Sequence, residues 1–537
     1  MIAEVVLSIN SKNVDRPFDY IIPVGMDVSP GARVSVPFGG GTPKEGYVVG
    51  LKPDSDYPPE RLKSVLAVKD GYSVFSESSV ALARFMSGRY WATMCACLQC
   101  MLPPGLSMGP LKLLYARLED NAAEAERIKQ KGGKQAEVIK LLESAGGSLA
   151  IADICARLGV SRSPLETLNR KGIISFEPVE IPRSPFLDGR FEKTEPPVLT
   201  DEQKTVYEAL AEKLAEGYQG NKTALLHGVT GSGKTEIYMR FIEKAIAMGK
   251  QAIMLVPEIS LTPQTVRNFA GRFEGRVSVT HSRLSGGERF DQWRRAKTGG
   301  VSVMIGPRSA IFTPFDNLGV IIIDEEHEHT YKSETTPKYA VKELAAELSR
   351  LCGCVVVLGS ATPSVETYHE ALSGRIDLLE LNERINKNPP AVSVIDMRRE
   401  LKKGNVSIFG TELRNAIAEN LAKKELTMLF LNRRGHSTFV SCRACGHVLG
   451  CGDCSINYTY HLSTDRLLCH YCGKEGAVPL NCPVCGSRYI KYFGAGTQKI
   501  EEELNKIFPA ARVLRMDMDT TSKKHGHEKI YRAFLSG

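Results

Sequence analysis

GVTGSGKT, Gly228–Thr235, stands between an apolar run, TALLHG, and TEIYMRFIEKAIAMG, whose apolar residues recur at helical spacing. Strand, glycine loop and helix in that order are the context a phosphate-binding loop requires. Gly228, Gly231 and Gly233 carry no Cβ, so the loop backbone with Val229, Thr230 and Ser232 can wrap phosphate oxygens with its N–H groups. Lys234 is suited to neutralise the β- and γ-phosphates, and the Thr235 hydroxyl to sit on Mg²⁺. Glu236 is counted with the loop, so Gly228–Glu236 is the expected ATP–Mg²⁺ site.

Working outward, AIMLVPE, VSVMIG, VIIIDEE and CVVVLGS are further short apolar runs, separated by polar, helix-prone segments. That alternation predicts an α/β unit over residues 200–390, with a parallel sheet covered on both faces. VIIIDEEH, Val320–His327, reads as a strand that ends in acids. Asp324 is expected to hold Mg²⁺, and Glu325 to activate the attacking water; the bland alternative is an acidic cap on a strand. GSAT, Gly359–Thr362, offers a hydroxyl-rich turn after the next strand that can sense the γ-phosphate. A second β-α unit is predicted from AVSVID and LTMLFLN over 391–440. A cysteine-rich block over 441–490 interrupts it, and it resumes over 491–537.

On the N-terminal side, PFLDGRFEKTEPP marks 185–199 as a linker. Residues 108–184 read as helices followed by helix, turn, helix, strand, the order of a winged helix; the alternative is a helical spacer that touches no DNA. Residues 1–107 open with the β-prone runs VVLSI, FDYIIP, ARVSVPF and EGYVVGL, and a helix is expected near Ser79–Ala92. Over 537 residues, 69 basic against 61 acidic side chains give a net charge of +8, which permits a polyanionic partner without demanding one. The start MIAEVVLSIN lacks a basic, then apolar, leader, and no long apolar run suggests a membrane span. The expectation is a soluble cytoplasmic protein.

Eight of the 14 cysteines fall in four Cys-x-x-Cys pairs that begin at Cys442, Cys451, Cys469 and Cys482. Each pair sets two thiolates on one side of a tight turn, and two pairs complete a tetrahedral zinc site. Two structural Zn²⁺ ions are expected, with an iron–sulfur cluster as the alternative. Pairing is either sequential or nested. His447, His461 and His470 are read as bystanders, and Cys95, Cys97, Cys100, Cys352 and Cys354 as packing residues.

In the order GKT, DEEH, SAT the motifs resemble those of superfamily 2 helicases. PEISLTPQ (257–264), GPRSAIFTPFDNLG (306–319), DEEHEHTYK (324–332), GSATPSVET (359–367) and FLNRRGHS (430–437) resemble the bacterial replication-restart helicase family, primosomal protein N′ or PriA. The likeness runs from about Val5 to Leu535. The resemblance implies two RecA-like lobes, the second incomplete, behind a β-rich 3′-end-binding domain and a winged helix. It implies that Gln203 contacts adenine and that Phe18, Asp19 and Tyr20, with Gly39 and Lys63, take the 3′ end of DNA. Phe18 and Tyr20 are alternatively core residues of a strand. It also implies that the loop 327–339 couples DNA contact to ATP hydrolysis, with Tyr331 and Tyr339 as stacking faces and Lys332 and Lys338 on phosphates. Arg308 either grips the nucleic-acid backbone or braces the acidic strand.

Nested zinc pairing is likewise implied: Cys442, Cys445, Cys482 and Cys485 on one ion, Cys451, Cys454, Cys469 and Cys472 on the other. The implied activity is that of an ATP-dependent 3′-to-5′ DNA helicase, an ATP hydrolase of the isomerase type, acting on stalled replication forks. The implied partners are forked and single-stranded DNA, primosome loading proteins, single-stranded DNA-binding protein and the replicative helicase, with no membrane. A non-enzymatic fork-binding scaffold that uses ATP as a conformational ligand is the competing expectation. Family members continue past the position of Gly537 with further second-lobe motifs, including an arginine on the γ-phosphate. The expectation for this chain is therefore ATP binding with poor hydrolysis.

Overall fold

The computed structural model describes residues 1–106, 109, 111–181, 183, 193–258, 263–387, 390–431, 440–461, 464–492, 496–521 and 526–536. The chain forms two compact units, Met1–Lys387 and Asn388–Gly537. Most of the expected 185–199 linker, Ile259–Thr262 of PEISLTPQ, Asn432–Ser437 of FLNRRGHS, and Gly494 and Ala495 lie outside the described residues.

The first unit opens with a six-stranded sheet: β1 (Ile2–Leu7), β2 (Phe18–Ile21), β3 (Arg33–Val36), β4 (Lys44–Lys52), β5 (Lys63–Ser64) and β6 (Ala67–Val68), in the order β5-β2-β1-β4-β3-β6. Two helices follow, α1 (Glu77–Tyr90) and α2 (Met94–Met101); the side chains of Ser76 and Thr93 cap their first turns. Next come β7 (Lys112–Leu118), α3 (Ala122–Lys131), α4 (Lys134–Ser144), β8 (Ser148–Ala150), α5 (Ile151–Leu158), α6 (Ser163–Arg170) and β9 (Ile174–Glu180). The three strands pair as β8-β7-β9 against the helices, with Ile139, Leu142, Ile154, Leu165 and Leu168 fully buried between them. The strand β7, KLLYARL, was not expected from the sequence: its period-2 pattern is broken by adjacent leucines at 113 and 114.

The motor-like region runs α7 (Asp201–Glu212), β10 (Thr223–Gly228), α8 (Lys234–Ala247), β11 (Gln251–Leu255), α9 (Pro263–Phe273), β12 (Val277–Val279), α10 (Gly286–Lys297), β13 (Val303–Gly306), β14 (Leu318–Asp324), α11 (Val341–Cys352), β15 (Val355–Ser360), α12 (Val365–Leu372) and β16 (Asp377–Leu381). Every described pairing in the sheet is parallel, in the order β12-β13-β11-β14-β15-β10-β16. Its strands read as near-continuous Val, Ile and Leu because both faces are covered. One face packs on α7, α8 and α9 through Leu210, Ile237, Phe241 and Phe269. The other packs on α11, and the same core takes in Val80, Leu82 and Met86 of α1 and Cys95, Cys97 and Leu98 of α2. The N-terminal helices are thus built into the core of the parallel-sheet lobe. The edge strands β12 and β16, too short or too polar to stand out in the sequence, complete the sheet.

The second unit differs from its expectation. Among the described residues of AVSVID and LTMLFLN, 391–396 and 426–431, none joins a sheet. A parallel strand is stabilised only by the neighbours that pair with it, and among the described residues no other strand stands beside these. Helices Thr411–Ala422 and Thr497–Ile507 share a small core of Phe409, Ile417 and Leu504. The cysteine block folds as a three-stranded antiparallel sheet over Thr459–His461, Arg466–Leu468 and Glu475–Ala477, and a two-stranded one joining Val440–Cys442 to Ile490–Tyr492. Among the described residues no helix is long and apolar enough to cross a membrane.

Candidate nucleotide, DNA and metal sites

The glycine loop sits at the carboxyl end of β10, where α8 begins. Gly231 and Gly233 hold φ of +81° and +85°. A Cβ on Gly233 would lie 2.4 Å from Gln203 Nε2, so glycine is required there both for conformation and for space. Lys234 Nζ donates to the Gly228 carbonyl at 2.6 Å, folded back over the loop. Burial lowers its pKa, and the charges of Asp324 and Glu325 oppose that shift. Among the described residues, the buried Ser232 Oγ finds no hydrogen-bond partner. Val229 is half-buried, and Thr230 and Thr235 face solvent.

Glu236 is turned away from the loop. Its carboxylate binds Arg240 and Arg272, both at 3.0 Å, which ties the first turn of α8 to α9. Its carboxylate is therefore a bracing group and not a ligand to the nucleotide. Gln203 is buried, with its Nε2 donating to Ser232 O at 2.8 Å and its Oε1 accepting from Thr200 N at 3.0 Å. An amide nitrogen has a second hydrogen and an amide oxygen a second lone pair, so one donor and one acceptor remain. Gln203 lines a cavity of about 540 Å³ together with Leu199, Ser232, Arg384 and Ile385. Arg384 and Ile385, which the sequence reading missed, belong to the segment after β16; Ile385 N donates to Gly231 O at 3.0 Å.

The acids at the end of β14 face three ways. Glu325 takes φ of +48°, a left-handed conformation that side chains rarely adopt, and this bend separates successive carboxylates. Asp324 Oδ1 accepts from the fully buried Tyr238 at 3.1 Å. Burial first, and then the charge of Glu325, push the Asp324 pKa up to about 6. Glu325 is partly exposed beside His327, whose Nδ1 lies 2.8 Å from Ser360 Oγ. Ser360 Oγ also accepts from Thr362 N at 2.9 Å, so the GSAT turn is joined to the acidic strand through one hydroxyl. Glu326 points inward to Lys342 at 2.8 Å, the Ser364 amide at 2.7 Å and Thr367 Oγ1 at 3.0 Å. Burial alone would raise its pKa, but Lys342 and that amide outweigh it and hold the carboxyl low. This knot was missed because Lys342 lies outside every motif and Thr367, which ends GSATPSVET, was given no role of its own.

Among the residues expected at DNA, Tyr331 and Tyr339 are buried, 4% and 6% exposed, within the core that includes α11. Their role as stacking faces is corrected: both rings are packing residues, and the Tyr331 hydroxyl donates to Asp324 O at 2.7 Å. Lys332 and Lys338 are exposed on the same loop. Arg308 braces that loop, its Nη1 donating to Thr330 O at 3.2 Å and Lys332 O at 2.8 Å.

In the N-terminal sheet Tyr20 is buried, with its hydroxyl on Pro37 O, so its ring is closed to a base. Phe18 is half-buried and edge-on to Phe38, with Arg16 over its ring. Asp19 pairs with Lys52 at 2.8 Å and accepts from Ser55, two partners the sequence reading did not name. Lys63, opposite Tyr20 in the β2–β5 pair, and Gly39, with φ of +65°, are exposed.

The cysteines gather into two groups: Cys442, Cys445, Cys482 and Cys485, and Cys451, Cys454, Cys469 and Cys472. Four sulfurs bound at about 2.3 Å to one ion stand about 3.8 Å apart. The Cys442–Cys485, Cys445–Cys482 and Cys451–Cys472 Sγ separations are 3.6, 3.7 and 3.8 Å, so the thiols fit tetrahedral zinc in the nested pairing. Each pair is turned by an amide returning to its first cysteine: Gly446 to Cys442, Ser455 to Cys451, Gly473 to Cys469 and Gly486 to Cys482. All four turn residues have positive φ, and Ser455 does so at +55° without being glycine. His461 and His470 face each other, with Nε2 atoms 3.1 Å apart.

Comparison with known proteins then fixes the family. Residues 4–103 match the 3′DNA-binding domain (3′BD) of PriA, and residues 451–475 match the PriA DNA helicase Cys-rich region (CRR) domain. The replication restart protein PriA of Bacillus subtilis (strain 168) is 42% identical across the whole of this chain and 75% of that protein. This chain belongs to the PriA family. Residues 200–371 match the DEAD/DEAH box helicase family, so the parallel-sheet lobe of this PriA-family chain is a helicase domain. The Chlamydia pneumoniae PriA is 35% identical over all of this chain and 72% of its own length. A solved structure, RecG bound to a three-way DNA junction, is 21% identical over 43% of this chain and 32% of that one, with a TM-score of 0.28, too slight to carry an argument.

Proposed function

We propose that this chain is an ATP-driven 3′-to-5′ DNA helicase that holds abandoned replication forks by a 3′ end and helps reload the replicative helicase. The observation that carries the reading is a shared core: the helices that follow the 3′-end-binding sheet pack into the lobe that bears the nucleotide loop. Gln203, with Arg384 and Ile385 beside it, takes the adenine. The loop Gly228–Gly233 takes the phosphates, and Lys234 their β/γ charge. Thr235 and Asp324 hold Mg²⁺, which supplies charge neutralisation at the phosphates when bound. Glu325 orients the attacking water and accepts its proton, and Ser360 with His327 reports the state of the γ-phosphate across the site.

At the other end, Asp19 accepts from the 3′-hydroxyl once Lys52 yields, Phe18 and Gly39 border the last base, and Lys63 meets a phosphate. Lys332 and Lys338 follow the strand. Two zinc ions hold the cysteine block. Primosome loading proteins, single-stranded DNA-binding protein and the replicative helicase are the protein partners, in the cytoplasm.

The test is steady-state ATP turnover with and without forked DNA carrying a 3′ end, beside Lys234→Ala. Slow DNA-stimulated turnover, in keeping with the poor hydrolysis expected from the sequence and abolished by Lys234→Ala, is the expected result. Fork binding without stimulated turnover would make the chain a scaffold that uses ATP as a conformational ligand.

A further inference from the structure

The last turn of α1 reaches the loop that follows the acidic strand. Arg89 donates to both Glu343 oxygens, at 3.1 and 3.0 Å, and the Tyr90 hydroxyl donates to Glu343 Oε2 at 2.6 Å. The same hydroxyl accepts from the Ala340 amide at 3.3 Å. Lys332 lies over the Tyr90 ring, its Nζ 5.3 Å from the centroid. One tyrosine of the N-terminal domain thus holds helix α11, the end of the loop and the exposed lysine on it.

The loop is pinned at its other end as well. The Tyr331 hydroxyl holds the carbonyl of Asp324, and Arg308 holds the carbonyls of Thr330 and Lys332. Ser333 N donates to Tyr339 O at 2.8 Å, which closes the two arms on each other. Beside Glu343, Lys342 joins Glu326 to Ser364 and Thr367. The loop at Tyr90 is thus joined through bonded neighbours to the backbone of Asp324, and helix α11 to the carboxylate of Glu326.

As plain glue this contact adds little. The Arg89–Glu343 pair is solvent-exposed, and such pairs contribute weakly, while α1 is already anchored by Val80, Leu82 and Met86. Lys332 gives the contact another use. An ammonium over an aromatic ring is held by a modest attraction, and a phosphate competes for it directly. A DNA strand that takes Lys332 removes it from Tyr90.

We propose that Tyr90, with Glu343, is a positioning residue that couples DNA in the N-terminal domain to nucleotide in the helicase lobe, through exchange of Lys332 between the Tyr90 ring and a DNA phosphate. The proposal rests on the motor reading given above. It follows that Mg²⁺–nucleotide and 3′-ended DNA change each other's affinity by one common factor.

The experiment titrates a fluorescent non-hydrolysable ATP analogue with Mg²⁺ into the whole chain, with and without forked DNA bearing a 3′ end. The proteins are the wild type, Tyr90→Leu, Tyr90→Phe and Glu343→Gln. The expected wild-type coupling is about fivefold or more. In Tyr90→Leu, which removes the ring under Lys332, each ligand alone binds within about twofold of wild type, while the coupling falls toward one; Tyr90→Phe, which keeps the ring and loses the hydroxyl, and Glu343→Gln fall part of the way. Unchanged coupling in Tyr90→Leu overturns the proposal, as does loss of both affinities together at an unchanged ratio, the mark of a merely structural role. Wild type that binds both ligands without coupling also overturns it and leaves the motor reading standing. Failure to bind nucleotide at all overturns both.

Discussion

The nucleotide loop stands on a seven-stranded sheet buried on both faces, whereas the cysteine block has for its buried apolar cluster, among the described residues, only Val440, Leu449, Tyr460 and Leu467. Both regions hold polar ligand groups in fixed positions. In the first, packing does it: Gly233 fits against Gln203, and a Cβ on Gly359 would lie 1.7 Å from the Tyr238 hydroxyl that holds Asp324. In the second the ligand groups hold the fold, since eight thiols and four knuckle turns do the work of a core too small to fold alone. A site inside a large core is therefore expected to outlast removal of its ligand, and a site that replaces a core is expected to depend on it.

Removing zinc should test that difference most severely. Structural zinc contributes about 10–16 kcal/mol of apparent binding energy that is also folding energy. A strong chelator, or Cys469→Ser, should raise amide exchange throughout 440–492 while nucleotide affinity stays within about twofold. A nucleotide site lost together with the zinc would break the comparison.

Next in size is Lys342→Met. It leaves Glu326 buried and without its cation, a change that costs about 3 kcal/mol. Urea unfolding of the first unit should shift by that order, with zinc retention unaltered. Because the folded pKa of Glu326 is held below its ordinary 4.5, its stabilisation is present above that pH and is lost as pH falls through the lowered value.

Asp324→Asn should act in the opposite direction. The folded carboxyl, raised from 3.8 to about 6, binds its proton more tightly than the unfolded one. Ionised Asp324 therefore destabilises the protein above pH 6, and the cost fades as pH falls from about 6 toward 3.8. The variant without Mg²⁺ should be more stable than wild type at pH 8 by about 2 kcal/mol and no more stable near pH 4, while losing Mg²⁺–nucleotide binding. Equal thermal midpoints at pH 8 would show that Asp324 is not strained by its burial.

The smallest effect is expected at Ser455. Glycine there relieves a left-handed serine at the cost of some unfolded-state entropy, a net gain of about 0.5 kcal/mol. Slower zinc loss to a competing chelator is the measurement, and slower loss confined to the Cys451 group would sharpen the comparison further.

The sequence by itself determined the features that rest on local spacing. GVTGSGKT between a strand and a helix, the acids ending an apolar run, and the four Cys-x-x-Cys pairs each carry their meaning within a few residues, because backbone turns and ligand bite are short-range properties. Spacing also left two zinc pairings open. The tertiary structure decided between them by bringing Cys442 beside Cys485 and Cys451 beside Cys472, across 43 and 21 residues.

Tertiary structure alone also decided which aromatic residues face solvent. Phe18, Tyr20, Tyr331 and Tyr339 look alike in the sequence, but only Phe18 keeps part of its ring open, because burial depends on which distant elements cover a side chain. The bonds that unite the N-terminal domain with the acidic strand join Tyr90 to Ala340 and Glu343 over some 250 residues. No local pattern encodes such a pair: its members become neighbours only when α1 and the parallel sheet bury their apolar faces in one core.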